Sequence, residues 1–312
     1  MSDEIVILGY GAVGKATAER LATSGRPVRI AQRRAPVNLP KGTTYTSCDV
    51  LDAASLATAV GAAGQVVMSV GFAYESRVWA SSWPAAMANV LAACRASGAR
   101  LVFVDNLYMY GEQRDALRED MPLTLKGNKP SIRAAITRQW QSASAAGDVR
   151  VAALRAPDFY GPGVTLSHLG EVGFQALARG KRVTLVAPPD VLHDYAYVPD
   201  IARGVKSLLD APDDAFGEAW HIPCAPTMTS RQILAIGAQA LGVPLRLSTI
   251  PMALWSTLGL VVPFMREMTE MKFQWDGPYR VDASKFAARF WADATPFETG
   301  APATARSFLS GQ

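Results

Sequence analysis

Ile5-Val6-Ile7-Leu8-Gly9-Tyr10-Gly11-Ala12-Val13-Gly14 sends a short apolar run straight into three glycines spaced Gly-x-Gly-x-x-Gly, and a helical pattern follows. An apolar tetrapeptide of this kind reads as a buried strand. Gly9 permits the tight turn off it, Gly11 lets backbone N–H groups approach a pyrophosphate, and Gly14 lets the next helix pack closely on the sheet. The helix N-terminus, through Ala12, Val13 and Gly14, then faces the anion. Gly25-Arg26-Pro27 closes the helix before a second strand at Val28–Ala31, so the economical unit is βαβ. A nucleoside-triphosphate loop is excluded, because Ala16 follows Lys15 where a Ser or Thr must hold magnesium.

Outward from this unit, strand-like runs recur at Thr44–Cys48, Gln65–Val70, Leu101–Val104 and Val149–Leu154, with helical patterns between most of them. Alternation of this kind predicts an α/β, doubly wound parallel sheet of Rossmann type. Asp52 is placed to cap a helix over Ala53–Val60, Ser82 one over Trp83–Ser97, and Ser131 opens one running to Ala146. After Leu154 the pattern is broken by Pro157, Gly161-Pro162-Gly163 and Pro188-Pro189. The expected division is a dinucleotide-binding domain over 1–163, with 192–222 returning to it. A smaller C-terminal α/β substrate lobe takes 164–191 and 223–312. In that lobe Thr229 is placed to cap a helix through Leu241, and a helix containing Asp282 follows a Trp-Asp-Gly-Pro turn.

At 312 residues and 49% hydrophobic content the chain can bury a large core. Its net charge of +4 is scattered, without the basic run and interleaved aromatics of a nucleic-acid binder. Cys48, Cys94 and Cys224 form no CxxC pair, so they read as buried free thiols in a reducing cytoplasm. Met1–Glu4 is too short and acidic to begin a signal peptide. The longest apolar stretch, Met252–Phe264, falls short of the roughly 20 residues of a membrane span and reads as a packed or lid helix. His221 and Cys224 have a metal-like spacing, but the histidines do not cluster and no metal is expected.

The second strand ends in Gln32-Arg33-Arg34, where an NAD-preferring fold places an acidic residue against the ribose 2′-hydroxyl. An acid there repels a 2′-phosphate, whereas a guanidinium gives it charge-assisted hydrogen bonds, so NADP is favoured over NAD. The competing reading makes Arg33 and Arg34 a solvated loop. Asp49, followed by Val50, is placed to accept from an adenine amino group, or else to cap a helix. Ser69, Val70 and Gly71 end the fourth strand, where close backbone approach to a cofactor is expected.

Several further segments carry a family resemblance. They are Val102-Phe103-Val104-Asp105-Asn106-Leu107-Tyr108-Met109-Tyr110-Gly111, Glu119-Asp120-Met121-Pro122, Leu154-Arg155-Ala156-Pro157-Asp158-Phe159-Tyr160-Gly161-Pro162-Gly163, the run from His193 to Ala202, and Asp282-Ala283-Ser284-Lys285. With the glycine turn, they make the chain resemble the extended short-chain dehydrogenase/reductases, the NAD-dependent epimerase/dehydratase family, over nearly its whole length. The resemblance implies a Ser or Thr after the fifth strand and a Tyr-x-x-x-Lys on the next helix. Asn106 and Lys129-x-x-x-Arg133 stand there instead.

The resemblance makes Asn106, Tyr108, Lys129 and Arg133 the candidate catalytic residues. Asn106 can orient a carbonyl but is neither acid nor base near neutrality. Arg133 can hold ribose hydroxyls but stays charged. Lys129 is a candidate proton donor, although the residues around it, Gly-Asn-Lys-Pro, favour an exposed loop lysine. Tyr108 is the other candidate acid, with core packing the alternative. Pro157 and Asp158 resemble the segment lining the nicotinamide face, with Asp158 alternatively capping a turn. Where sugar-nucleotide members have a diphosphate-binding arginine this chain has His193. That departure, with Phe72, Tyr74, Trp79, Trp255, Phe264 and Trp275, leans toward a small apolar substrate, although such residues are more often core.

The leading expectation is therefore an NADP-dependent oxidoreductase of atypical short-chain type acting on a carbonyl or alcohol. An epimerase or dehydratase, and a dinucleotide-binding sensor that has lost catalysis, are the alternatives. A homodimer through helices 83–97 and 131–146 is implied by the resemblance.

Overall fold

A computed structural model describes residues 2–309. Its centre is a seven-stranded sheet. The first six strands are β1 (Ile5–Leu8), β2 (Val28–Gln32), β3 (Thr43–Ser47), β4 (Gln65–Met68), β5 (Arg100–Asp105) and β6 (Val151–Arg155). They pair in parallel in the order β6-β5-β4-β1-β2-β3, and Ala219–His221 flanks β6. The chain grows from β1 toward β3 on one side and from β4 toward β6 on the other. The order therefore reverses between β1 and β4, at whose carboxyl ends such sheets bind ligands. The register keeps those ends level, with Leu8 opposite both Ala31 and Met68, and Met68 opposite Phe103.

Helices α1 (Ala12–Thr23), α2 (Ala53–Val60), α3 (Ser76–Ser97) and α4 (Asn128–Ala145) cover the sheet. β1 and β4 are buried along their whole length, as parallel strands covered on both faces must be. Asp52 caps α2 as its position predicts, its carboxylate accepting from Ala54 and Ser55 N–H.

Two helix starts differ from the sequence expectation. α3 begins at Ser76 rather than after Ser82, and Ser82 and Pro84 lie inside it. The added turns bring Trp79 onto the same buried face as Trp83, one turn apart, and that burial outweighs the backbone bond lost at Pro84. α4 begins at Asn128 after Gly127 in a positive-φ conformation (φ 78°), which draws Lys129 out of the expected loop and into the first helical turn.

The chain divides into two compact units. The first holds the residues up to Tyr110 with Pro122–Arg155 and Ile201–Trp220; the second holds Gly111–Met121, Ala156–Asp200 and the residues from His221 onward. In the second unit Phe159–Tyr160 pairs with Ala196–Tyr197, Leu192–His193 with Met228–Thr229, and Val183–Leu185 with Leu247–Thr249. Its core includes Tyr160, Phe174, Leu234, Trp255, Trp275 and Phe297.

Thr229 caps the helix Ser230–Leu241 as expected, and Gln232 completes a reciprocal capping box with it. The apolar stretch Met252–Phe264 is not one helix. It breaks into Met252–Leu254, Trp255–Leu258 and the start of Pro263–Glu270, where Pro263 takes the first helical position, at which a missing N–H costs no intrahelical bond. Asp282 precedes its helix, Ser284–Arg289, and accepts from Ser284 N–H. Among the described residues no helix is long and apolar enough to cross a membrane. Cys48 and Cys94 are buried free thiols, and Cys224 is free and partly buried.

Candidate functional site

At the switch point the glycine turn is shaped by close backbone approach. Gly9 has φ 92°, a conformation that disfavours any side chain. A Cβ on Gly14 would lie 2.1 Å from Gly9 O and 2.9 Å from Ser69 Oγ. Ser69 locks the turn, its N–H donating to Leu8 O (2.9 Å) and its hydroxyl to Gly9 O (3.1 Å). Gly11 is the opposite case, since a Cβ there meets nothing within 4 Å; Gly71 is equally open. Gly11 is also the N-cap of α1, without a side-chain cap and without an acidic residue in the first turn. Open space beside the N–H groups of Ala12, Val13 and Gly14 suits an anion.

Beyond β2, the Gln32 side chain accepts from Tyr10 N–H (3.0 Å) and donates to Arg34 O (2.7 Å), tying the loop to the glycine turn. Arg33 and Arg34 are exposed. Asp49 accepts from Leu51 N–H (3.0 Å) and Val50 O accepts from Asn89 (3.1 Å), so this turn is fixed by its own hydrogen bonds. Val70 is half-buried against the core.

A second cluster stands at the ends of β5 and β6. Asp105 carries a fully buried carboxylate facing Arg133 (3.4 Å) and Arg155 (3.9 Å), both buried. Arg155 also donates to Tyr110 and to Thr137 Oγ1 (3.4 Å). The Arg133 guanidinium lies 3.9 Å from the Trp83 ring and 5.3 Å from Trp79. Burial lowers the Arg133 pKa and raises that of Asp105, and each charge opposes the other's shift.

Lys129 is fully buried, contrary to the exposed loop lysine expected, and donates to Ser76 Oγ (3.1 Å) 4.6 Å from the Tyr74 ring. Asn106 spends its side-chain oxygen on Tyr108 N–H (3.1 Å), and its own N–H on Asp105 (2.8 Å). The Tyr108 ring is half-buried and stacked on Trp79 at 6.0 Å. The first unit thus brings Tyr108 and Arg133 against the α3 tryptophans, with Lys129 beside Tyr74 and Asn106 in the turn before Tyr108. Asp105 and Arg155 went unmarked by the sequence reading, although a charged residue ending each of two apolar strands was a usable signal.

Pro157 lies in the second unit, where its neighbour Asp158 is hydrogen-bonded to the His193 ring (3.0 Å). His193 is fully buried and stacked on Trp275 at 4.2 Å. Trp79, Trp255 and Trp275 are core side chains and Phe264 is half exposed.

Burial pulls the pKa of His168, beside Trp275, down to about 4, with His193 adding to the shift and Asp158 opposing it. The unfolded chain therefore binds the extra proton first, and stability falls as pH drops from about 6.5 to about 4, by at most about 3 kcal/mol. Urea unfolding at those two pH values should show His168→Asn losing less stability than the parent. An equal loss in both contradicts the assignment.

The family question is decided by a sequence profile that matches residues 5–222, described as the NAD-dependent epimerase/dehydratase family. The chain belongs to this family. Its fold agrees with solved epimerase and dehydratase structures. UDP-glucose 4-epimerase from Thermus thermophilus, in complex with NAD, is 20% identical with a TM-score of 0.78, covering 99% of this chain and 100% of that one. The Bordetella bronchiseptica enzyme WbmH, with NAD+, is 18% identical with a TM-score of 0.77, covering 99% of each. dTDP-glucose 4,6-dehydratase from Bacillus anthracis, with NAD, is 15% identical with a TM-score of 0.79, covering 100% and 98%. No curated protein sequence matches.

Proposed function

We propose that this family member is an NADP-dependent oxidoreductase of atypical short-chain type, acting on a carbonyl or alcohol of a small, rather apolar molecule. The observation that carries this reading is the open space at Gly11 against the uncapped start of α1, which fits a dinucleotide pyrophosphate. Gly9, Gly11, Ala12, Val13 and Gly14 would hold the pyrophosphate, and Asp49, Val50, Ser69, Val70 and Gly71 would border the adenosine and ribose. Gln32 is neutral and tied to the backbone, so the end of β2 leaves a 2′-phosphate to the exposed Arg33 and Arg34. The bound nucleotide supplies the hydride chemistry.

Arg133, charged and held against Trp83, is fitted to orient ribose hydroxyls and unfitted to shuttle protons. Lys129, at the tyrosine's place in the resemblance, would deliver the proton to a substrate oxygen, with Tyr108 the other group able to do so. Pro157 would border the nicotinamide. A homodimer through α3 and α4 and a cytoplasmic location belong to the same proposal. A sugar-nucleotide epimerase or dehydratase is the second reading, favoured by the family and by the solved relatives. His193 counts against it, being buried and paired with Asp158 where the resemblance implies an arginine for a diphosphate.

The test is NADPH oxidation with a panel of aldehydes, ketones and quinones, followed at the reduced-nicotinamide band. Turnover supports the reading; tight NADPH binding without turnover on any member turns it toward a nucleotide sensor. For cofactor choice, Arg33→Ala is expected to cut the preference for NADP over NAD by about ten-fold, the worth of one charge-assisted contact. An unchanged preference removes Arg33 from the account.

A further inference from the structure

In the second unit the exposed apolar surface is concentrated in one turn. Of the eleven large hydrophobic side chains exposed among the described residues, five fall within residues 254–264, and Leu260 and Val261 are 84% and 79% exposed. Single exposed apolar residues are ordinary, but a contiguous run marks an interaction surface. The turn joins the helices Trp255–Leu258 and Pro263–Glu270, and both are seated in the core, the first by Trp255 and the second by Met265. The Trp255 indole donates to Ile250 O (3.3 Å), and Gly259 packs so closely that an added Cβ would lie 3.1 Å from the Arg266 backbone. Leu260-Val261-Val262-Pro263-Phe264 is thus held exposed by ordered structure on both sides.

Two observations choose the occupant. Hydrocarbon offers a backbone N–H no partner, so a segment enters it only with those groups already bonded. Leu260 N–H donates to Thr257 O (3.2 Å), Val261 and Val262 N–H donate to Leu258 O (3.1 and 2.8 Å), and Pro263 has no N–H to satisfy. The charge around the turn is of one sign, since residues 219–266 contain no Asp or Glu. Arg231 in that stretch is paired with Asp190, whereas Arg246 and Arg266, on either side of the turn, are exposed and in no ion pair among the described residues. The parallel register of Val183 with Leu247 sets Arg182, also exposed and unpaired, beside Arg246. A two-fold contact between copies through this turn would bring the same cations together, so an anionic partner fits better than a second copy.

We propose that the turn 260–264 is a shallow anchor for an anionic lipid surface, its apolar side chains entering the acyl boundary while Arg182, Arg246 and Arg266 supply attraction to the headgroups. The anchor rests on one leaflet and spans nothing. It is independent of the nucleotide reading.

Cosedimentation of the full-length protein with vesicles of phosphatidylcholine alone, and of phosphatidylcholine mixed with phosphatidylserine, tests the anchor. Binding to the mixed vesicles is expected to be at least about ten-fold tighter, since each cation near an anionic surface is worth about five-fold. Leu260→Asn with Val261→Asn, which changes no charge and touches only exposed side chains, should abolish it. Arg246→Gln and Arg266→Gln should each weaken it by about five-fold. Absence of sedimentation with either vesicle, equal binding to both, or binding unchanged in the Leu260→Asn, Val261→Asn variant overturns the proposal. A protein that ignores vesicles but dimerises in sedimentation velocity, and loses the dimer in that variant, would assign the turn to a second copy and overturn it as well.

Discussion

Gly14→Ala is expected to abolish nucleotide binding and to destabilise the fold by about 1 to 3 kcal/mol, whereas Gly11→Ala should weaken nucleotide binding alone. The methyl group added at Gly14 would have to share space with Gly9 O at 2.1 Å, a backbone atom held in place by the Ser69 hydroxyl. Relief requires α1 to lift away from the turn, which moves the N–H groups that face the anion. At Gly11 φ is −74° and nothing lies within 4 Å of the new methyl, so the folded protein accommodates it. The same methyl would occupy the space assigned to the pyrophosphate, and a loss of affinity of at least about ten-fold is expected. Urea unfolding and a nucleotide titration of both variants separate the two effects. Gly11→Ala binding NADP as tightly as the parent would show that the open space is not where the pyrophosphate lies.

Asp105→Asn carries the other large effect, a loss of about 3 to 5 kcal/mol of stability. Asp105 is the carboxylate that faces Arg133 and Arg155, and neutralising it leaves both guanidiniums buried without a counter-charge. The Asn106 N–H now accepted by Asp105 Oδ1 would keep its acceptor, so the local turn should survive and the loss should be electrostatic. Adding Arg155→Met to Asp105→Asn removes one of the two uncompensated charges and should recover part of the loss. The denaturation midpoint is the readout, with the denaturant dependence unchanged. A shift worth less than about 1 kcal/mol would mean that water reaches the cluster.

How far the sequence could be read follows from which interactions are local. The turn from Leu8 to Gly14, the Asp52 cap and the Thr229 cap are each decided within a few residues, and each stands where its residues place it. The parallel sheet followed from the alternation of strand and helix patterns. Long-range burial decided the rest. Lys129 reads as a loop residue because Gly127 and Pro130 surround it, and only the packing of α4 against α3 makes it a buried helical cation. Ser82 and Pro84 imitate a helix start, while Trp79, upstream of them, needs the helix to have begun already. Asp105 and Arg155 end neighbouring strands in register, a pairing visible only once β5 and β6 lie side by side. In the second unit, the Asp158–His193 pair joins residues 35 positions apart, which no spacing rule anticipates.

Calorimetric titration of the intact protein with NADP and with NAD tests the central claim most directly. The account predicts saturable heat from NADP, with weaker binding of NAD. No heat from either nucleotide up to about 1 mM, where even a weak site would fill, would contradict it.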